Sequence, residues 1–383
     1  MQQVLFWIPI KLGWVPHGIP IYGFGAMLFI AFFACILLVS RWAKREGFSP
    51  DRIYDLALWV FGFGVIGARI VYMIQYKVPW QNFFKIWEGG IVFYGSAIGG
   101  WIGYALGWLY YSKVKKERIP TWRMADIVAP AVCVGLLIGR IGCFLNGCCY
   151  GHICTDNATC VTFPMMTAPA RELVVAQGYQ TMAGFTLDSR AFDAAHRERP
   201  PALVGTVEPG SPAARAGLRS GDIITQINEF PIQSYHDLWR VLDPGSWPRG
   251  VQEVKLKVQR GAEEMDLKPF IPRTLPLHPT QVYESVSMFL LLLVLLAFYP
   301  FRRHYGQSFV VLMIGYAVHR FFNETLRNDT APILLNLTLS QVGSILVLLA
   351  AIGLEIYLRR FSQRVPPAGA ESKSTPAPLP AKA

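Results

Sequence analysis

Charge is what this chain lacks. Asp, Glu, Lys and Arg make up 16% of its 383 residues, against about 25% in an ordinary soluble domain. The deficit falls in stretches of roughly 20 apolar residues, the length at which a helix crosses a bilayer core. A water-soluble fold is therefore excluded. Acidic residues are scarcer than basic ones, 25 against 36, yet the excess does not mark a nucleic-acid binder. The basic residues cluster between apolar stretches and form no basic face of a soluble domain. No His-Glu-x-x-His pair occurs, so the helix of a zinc-dependent intramembrane protease is missing. Ser96, the one tempting serine nucleophile, has no histidine suitably placed in a helix apart from His319. No small-residue cleavage site follows the first apolar run, so a cleavable leader is not expected.

Seven apolar runs are present, near 19–41, 53–75, 91–112, 125–144, 281–299, 307–325 and 339–358. Arg41, Lys44, Arg45 and Arg52 separate the first two, and Lys113, Lys115, Lys116, Arg118 and Arg123 the third from the fourth. Arg302 and Arg303 follow the fifth, and Arg359, Arg360 and Arg364 the seventh. Basic loops face the cytoplasm, and all these clusters share one side only if the N-terminus is outside and the C-terminus inside. The expected architecture is a polytopic α-helical membrane protein of the inner membrane, with residues 145–280 largely outside.

Within that outer segment, 201–272 alternates like the strands and short helices of an α+β domain. Its run Glu208-Pro209-Gly210-Ser211-Pro212-Ala213-Ala214-Arg215-Ala216-Gly217-Leu218, followed by Gly221-Asp222-Ile223-Ile224-Thr225-Gln226-Ile227-Asn228, resembles the PDZ domains of bacterial envelope proteases. Such domains bind extended peptides by adding a strand to a sheet edge. The resemblance implies a groove between the Leu203–Val207 strand and the Tyr235–Leu242 helix, with a peptide or an envelope protein as its ligand. The expected division is a membrane part over 1–165, a linker over 166–200, the PDZ-like domain over 201–272, a second membrane part over 273–360 and a disordered tail over 361–383. The last stretch is Pro- and Ala-rich and cannot build a core.

Polar groups inside the apolar runs carry the functional signal. An arginine at mid-helix costs about 2.5–3.5 kcal/mol to insert and therefore faces a cavity or a partner. Arg69, Arg140 and Arg320 are three such residues, each in the outer half of its run. Tyr316, Arg320 and Glu324 follow one another at intervals of four and share a helix face. Arg140 stands in Gly139-Arg140-Ile141-Gly142-Cys143-Phe144-Leu145-Asn146-Gly147-Cys148-Cys149-Tyr150-Gly151, where glycines permit close backbone approach and Arg140 with Asn146 suits an anion. Tyr22, Glu88 to Gly95 and His278 to Glu284 open other runs at the same depth. Together they imply a polar chamber near the outer leaflet, built for an anionic head group.

These blocks, in this order, resemble the prolipoprotein diacylglyceryl transferase family over roughly 1–165 and 273–360. The family moves a diacylglyceryl group from phosphatidylglycerol to the lipobox cysteine of a preprolipoprotein and needs no cofactor or metal. The resemblance implies that Arg140 and Arg320 hold the phosphate, and that Tyr22, Asn146, Tyr316 and Glu324 match positions tied to activity. It implies that Gly151 closes the signature and that Arg69 and His278 belong with the lipid-binding groups. Three departures stand out. Tyr94 occupies the place of a histidine often taken as the general base, Cys143 replaces an asparagine and Cys148 an acidic residue. A tyrosine, with a pKa near 10, is a weak base unless arginines lower it, so Tyr94 and Glu324 share the candidacy for thiol activation.

Of the seven cysteines, Cys35 and Cys133 lie in apolar runs and read as packing residues. Cys143, Cys148, Cys149, Cys154 and Cys160 bunch outside, where oxidation favours disulfides. The expectation is one or two bridges tying Cys148 or Cys149 to Cys154 or Cys160. The absence of paired CxxC spacing speaks against zinc.

Overall fold

The structure is a computed structural model. It describes residues 3–9, 19–84, 93–116, 120–154, 159–166, 169–188, 200–243, 246–248, 250–327 and 332–365. In chain order the elements are β1 (Val4–Ile8), β2 (Ile19–Tyr22), α1 (Gly23–Arg45), α2 (Pro50–Gln75), α3 (Phe93–Leu109), α4 (Thr121–Asn146), α5 (Ala170–Ala176), β3 (Phe185–Leu187), β4 (Val204–Val207), α6 (Pro212–Ala216), β5 (Ile223–Ile227), β6 (Phe230–Pro231), α7 (Tyr235–Leu242), β7 (Leu256–Arg260), β8 (Glu263–Asp266), α8 (Thr280–Phe298), α9 (Gln307–Thr325), β9 (Pro332–Leu334), β10 (Leu337–Thr338) and α10 (Leu339–Phe361). Five helical stretches, Gly23–Arg45, Asp51–Gln75, Thr121–Asn146, Thr280–Phe301 and Leu339–Phe361, are long and apolar enough to cross a membrane. The protein is a polytopic membrane protein. The first run begins later than its hydropathy suggests. Residues 19–22 form a strand paired antiparallel with β1, Val4 opposite Tyr22, and the helix starts only at Gly23. Most of the Glu88–Gly95 block and the C-terminal tail lie outside the described residues.

The chain divides into two compact units. The first comprises Met1–Ile30, Leu137–Ser287 and His319–Gly343, and the second Ala31–Leu136, Met288–Val318 and Ser344–Ala383.

In the second unit, α2 and α3 approach through glycine. A side chain on Gly95, Gly99 or Gly103 would strike backbone atoms of Gly67, Phe63 or Trp59, respectively. This spacing of four is the small-residue stripe that lets membrane helices pack backbone to backbone. The loops of the same unit carry a salt-bridged lock. Glu46, between α1 and α2, accepts from Arg123 Nε at 3.0 Å, Arg302 Nη2 at 2.7 Å and Tyr299 Oη at 2.8 Å. Asp126, fully buried on α4, accepts from the backbone N–H groups of Gly306, Ser308 and Phe309. A buried carboxylate is tolerated there because the start of α9 presents unpaired N–H groups to it.

In the first unit, β5 and β7 are the inner strands of a sheet ordered β6-β5-β7-β8. Leu238 and Ile227 are fully buried in the core beneath it, each worth about 1.5–3 kcal/mol of apolar burial. Ser234 caps α7 by accepting from Asp237 N at 3.2 Å, the reason the helix begins there. Asp222 is 1% exposed and accepts both Nε and Nη2 of Arg260 at 2.7 Å. Burial raises its carboxyl, but the Arg260 hydrogen bonds outweigh this and hold it below the ordinary range.

Two expectations about this region need correction. The stretch 166–200 contains helix α5 and strand β3, and Ala183 and Phe185 are buried in the same core as Leu238, so the boundary at 201 cuts through the folded module. The strand at 203–207 is also not an open edge. It pairs with β3 on one side, Phe185 opposite Val207, and on the other Val204 N donates to Asp222 O and Ile224 N to Ala202 O. A peptide has no edge to join there. The short, polar surroundings of Phe185-Thr186-Leu187 hid the outer strand from a reading based on alternation.

Candidate functional site

Glu284 organises the polar groups of the first unit. It is the lone charged residue of α8 and is 1% exposed. Its Oε1 lies 2.9 Å from Arg140 Nε on α4, and its Oε2 lies 3.7 Å from Arg320 Nη1 on α9. Asn323 Nδ2 donates to the same Oε2 at 3.3 Å. Arg320 Nη2 also lies 2.9 Å from Glu324 Oε2, one turn further along α9, and donates to Ser340 Oγ at 2.9 Å. Glu324 Oε1 accepts from Thr338 Oγ1 at 3.0 Å, and Arg327 Nε stands 3.8 Å from its Oε2. Among the described residues of this cluster, three guanidinium groups thus face two carboxylates, an excess of one guanidinium over the carboxylates. At an effective dielectric of about 20, charges about 4 Å apart still interact by roughly 4 kcal/mol. The buried Arg320 Nη1 makes no hydrogen bond among the described residues.

The glycine-rich loop after α4 is pinned against the start of α8. Thr280 Oγ1 donates to Cys149 O and Gln281 Nε2 to Cys148 O, both at 2.6 Å. Gly151 N donates to His278 O at 2.8 Å. A Cβ on Gly151 would come within 2.9 Å of both His278 Cβ and Thr280 Cγ2, so only glycine fits where the signature closes. His278 is a loop anchor: its backbone brackets Gly151 and His152, and its Nδ1 lies 3.3 Å from Tyr283 Oη.

Arg140, Arg320 and Glu324 therefore meet, as their positions in the apolar runs led one to expect. Asn146 ends α4, its carbonyl accepting from Gln3 Nε2 at 3.1 Å and its side chain hydrogen-bonded to Cys148. Tyr22 is half-buried at the junction of β2 and α1. Arg69 and Tyr316 belong to the second unit. Arg69 is buried there and donates to the carbonyls of Phe83 at 3.1 Å and Asn82 at 2.6 Å, while Tyr316 is half-buried on α9. Tyr94 is on α3, with its side chain outside the described residues. Sequence reasoning passed over Asn323 and Arg327 and placed Glu284 at this depth only as the end of the His278 to Glu284 block. The signal for Glu284 was available: a single carboxylate in an apolar helix needs a cationic partner.

The cysteine pairing differs from expectation. Cys154 is joined to Cys160, while Cys143, Cys148 and Cys149 remain thiols. A six-residue separation closes a local loop, whereas Thr280 and Gln281 hold Cys148 and Cys149 back by their carbonyls. Hydrogen bonds from Cys143 and Cys148, together with the charges of Arg140 and Arg327, overcome burial and hold the Cys149 thiol far below its ordinary pKa.

A model of the prolipoprotein diacylglyceryl transferase family matches residues 14–357. A phosphatidylglycerol–prolipoprotein diacylglyceryl transferase of Rhodopirellula baltica is 35% identical over 227 residues, covering 55% of this chain and 43% of the relative. One from Lactiplantibacillus plantarum is 38% identical over 150 residues, or 38% of this chain and 50% of the relative. The second such enzyme of Clostridium perfringens is 24% identical over 88% of this chain and 90% of its own length. The chain spans about half the length of the first curated relatives it matches.

Proposed function

The chain belongs to the prolipoprotein diacylglyceryl transferase family, and from that premise we propose that it transfers a diacylglyceryl group from phosphatidylglycerol to the lipobox cysteine of a preprolipoprotein. The incoming sulfur forms a bond to the glyceryl carbon as the carbon–oxygen bond to phosphate breaks. Glycerol phosphate leaves as an anion, and the thiol proton passes to a base. The observation that carries this reading is the convergence of Arg140 and Arg320, from separate helices, on one buried carboxylate. The excess guanidinium and the undonated Arg320 Nη1 are what a phosphate oxygen requires in its ground state and, more strongly, as it becomes a leaving group.

The proton acceptor is Glu324 or Tyr94. Glu324 lies in the cluster already described, and Tyr94 opens α3. Full activity in Tyr94→Phe, with loss in Glu324→Gln, assigns the role to Glu324; the reverse assigns it to Tyr94. The decisive assay incubates the purified chain with phosphatidylglycerol and a lipobox peptide. A thioether-linked diacylglyceryl product supports the proposal, and its absence from active-site-intact protein rejects it.

The helices α1 to α4 and α8 to α10 are read as seven spans, N-terminus outside, in the inner membrane of a bacterium. The module running from about residue 181 to 272 then stands in the periplasm as a PDZ-like domain that recruits a preprolipoprotein or an envelope protein. Gly184 O and Asp188 N bond the β4 side, so by strand alternation the N–H groups of Phe185 and Leu187 face away from it. A peptide strand would add to β3, next to α7. Leu187→Pro removes one of those donors. Recruitment predicts a raised KM for long preprolipoprotein substrates and an unchanged KM for a short lipobox peptide; equal KM values for both relative to wild type would reject it.

A further inference from the structure

Three thiols that the transfer reaction does not use stand together at the end of α4. The Sγ atoms of Cys143, Cys148 and Cys149 all lie within 4.8 Å of one another, and none is bonded to another. Cys149 has a left-handed backbone, φ 61°, which a side chain other than glycine adopts rarely. That turn brings two consecutive cysteines to the same side of the loop, facing Cys143. The loop is fixed by the Thr280 and Gln281 hydrogen bonds to the Cys149 and Cys148 carbonyls, so the sulfurs are held close without a covalent link.

Neither ordinary explanation fits well. Cys133 is packed among apolar side chains at 0% exposure, whereas these three are only partly buried and lie in the loop held by polar contacts from Thr280 and Gln281. A disulfide between Cys148 and Cys149 would join residues whose Cα atoms are about 3.8 Å apart, below the usual range of about 4.4–6.8 Å, and Cys143 is bonded to neither.

We propose that Cys143, Cys148 and Cys149 form a three-thiolate site for a thiophilic d10 metal ion such as Zn2+ or Cu+. Soft thiolates select such ions, and a three-sulfur complex of either carries net negative charge, which Arg140 and Arg327 offset. The thiols still protonated release their protons to solvent as the ion binds, so affinity rises with pH. Zn2+ held by three thiolates takes a fourth ligand such as water.

The full chain, purified in detergent under reducing conditions and stripped with a chelator, is titrated with Zn2+ against a chromophoric competitor. One ion per chain is expected. Cys143→Ser, Cys148→Ser and Cys149→Ser each bind at least about tenfold more weakly, since losing a ligand exceeds the roughly 10–100-fold cost of losing an outer-shell partner. Cys35→Ser and Cys133→Ser bind as wild type. Alkylation mapped by mass spectrometry on the unmutated chain guards against misfolded variants: Zn2+ protects the three thiols and leaves Cys35 and Cys133 unchanged. Absence of stoichiometric binding, equal affinity in all three serine variants and wild type, no protection, or a Cys143–Cys148 disulfide persisting in the reduced chain overturns the proposal. None of these readouts depends on transfer activity.

Discussion

Each of the two units buries a cluster of arginines and carboxylates, but the two are balanced differently. In the second unit Arg123 and Arg302 match Glu46 and Asp126 in number, and all four carboxylate oxygens accept a hydrogen bond. In the first unit Arg140, Arg320 and Arg327 outnumber Glu284 and Glu324, and one oxygen of each glutamate, though in ion contact, accepts no hydrogen bond. Each cluster keeps one guanidinium nitrogen without a hydrogen bond among the described residues, Arg302 Nε in the second unit and Arg320 Nη1 in the first. What separates them is therefore the balance of arginines against carboxylates: matched charges make a lock, and an extra guanidinium a receptor for an anion. Burial raises the stakes in both cases, because an unmatched group has no water to turn to.

The largest effect should come from unbalancing the lock. Asp126→Ala leaves Arg302 without its buried acid and three N–H groups at the start of α9 without an acceptor. A loss of about 3–5 kcal/mol is expected, typical of breaking a buried pair from one side. It is measured as the fall in the thermal or denaturant midpoint in detergent, and transfer per folded molecule should stay within about twofold of wild type, since the cluster touches no reacting group. A large fall in kcat with an unchanged midpoint would show that the cluster is not a lock.

Removing one of the three arginines tests the other half of the comparison. Arg320→Ala should lower kcat/KM for phosphatidylglycerol by about 10²–10³, the usual cost of deleting one donor to a developing anion. Arg320→Lys keeps the charge without the planar fork and should recover only part of that loss. If Arg320→Ala lowers the melting midpoint as far as Asp126→Ala while sparing kcat/KM, the two clusters have the same role and the comparison fails.

How much of this was legible beforehand depends on whether the signal was local. The helices were, since about 20 apolar residues in a row leave few alternatives, and so were Arg140, Arg320 and Glu324, whose insertion cost demands partners. The β1–β2 pair was not: Ile19 to Tyr22 is apolar and adjoins a helix, so hydropathy fuses the two. Strand β3 has three residues, too few for a period. Glu284 was visible as a lone charge, but which arginines it joins is decided by the packing of α4, α8 and α9. The link between Cys154 and Cys160 was hidden among five nearby cysteines, because spacing alone does not rank their pairings.

The smallest expected effect is a pH dependence in the matched cluster. Burial raises the Glu46 carboxyl, but hydrogen bonds from Tyr299, Arg302 and Arg123 outweigh it and hold the group below the ordinary range. The unfolded chain, with a glutamate near its usual value of about 4.3, therefore takes up a proton first as pH falls. Stability from Glu46 is present in full above that value and disappears as pH drops through the lower folded value. Glu46→Gln should cost about 1–2 kcal/mol near pH 7, in line with a lost charged hydrogen bond. The gap between the wild-type and Glu46→Gln midpoints should then close only as pH falls through the lowered folded value of Glu46, below which both side chains are neutral. A gap that stays constant over this fall in pH would mean that the carboxylate charge is not what Arg123 and Arg302 hold, and the charge balance that separates a lock from a receptor would lose its basis.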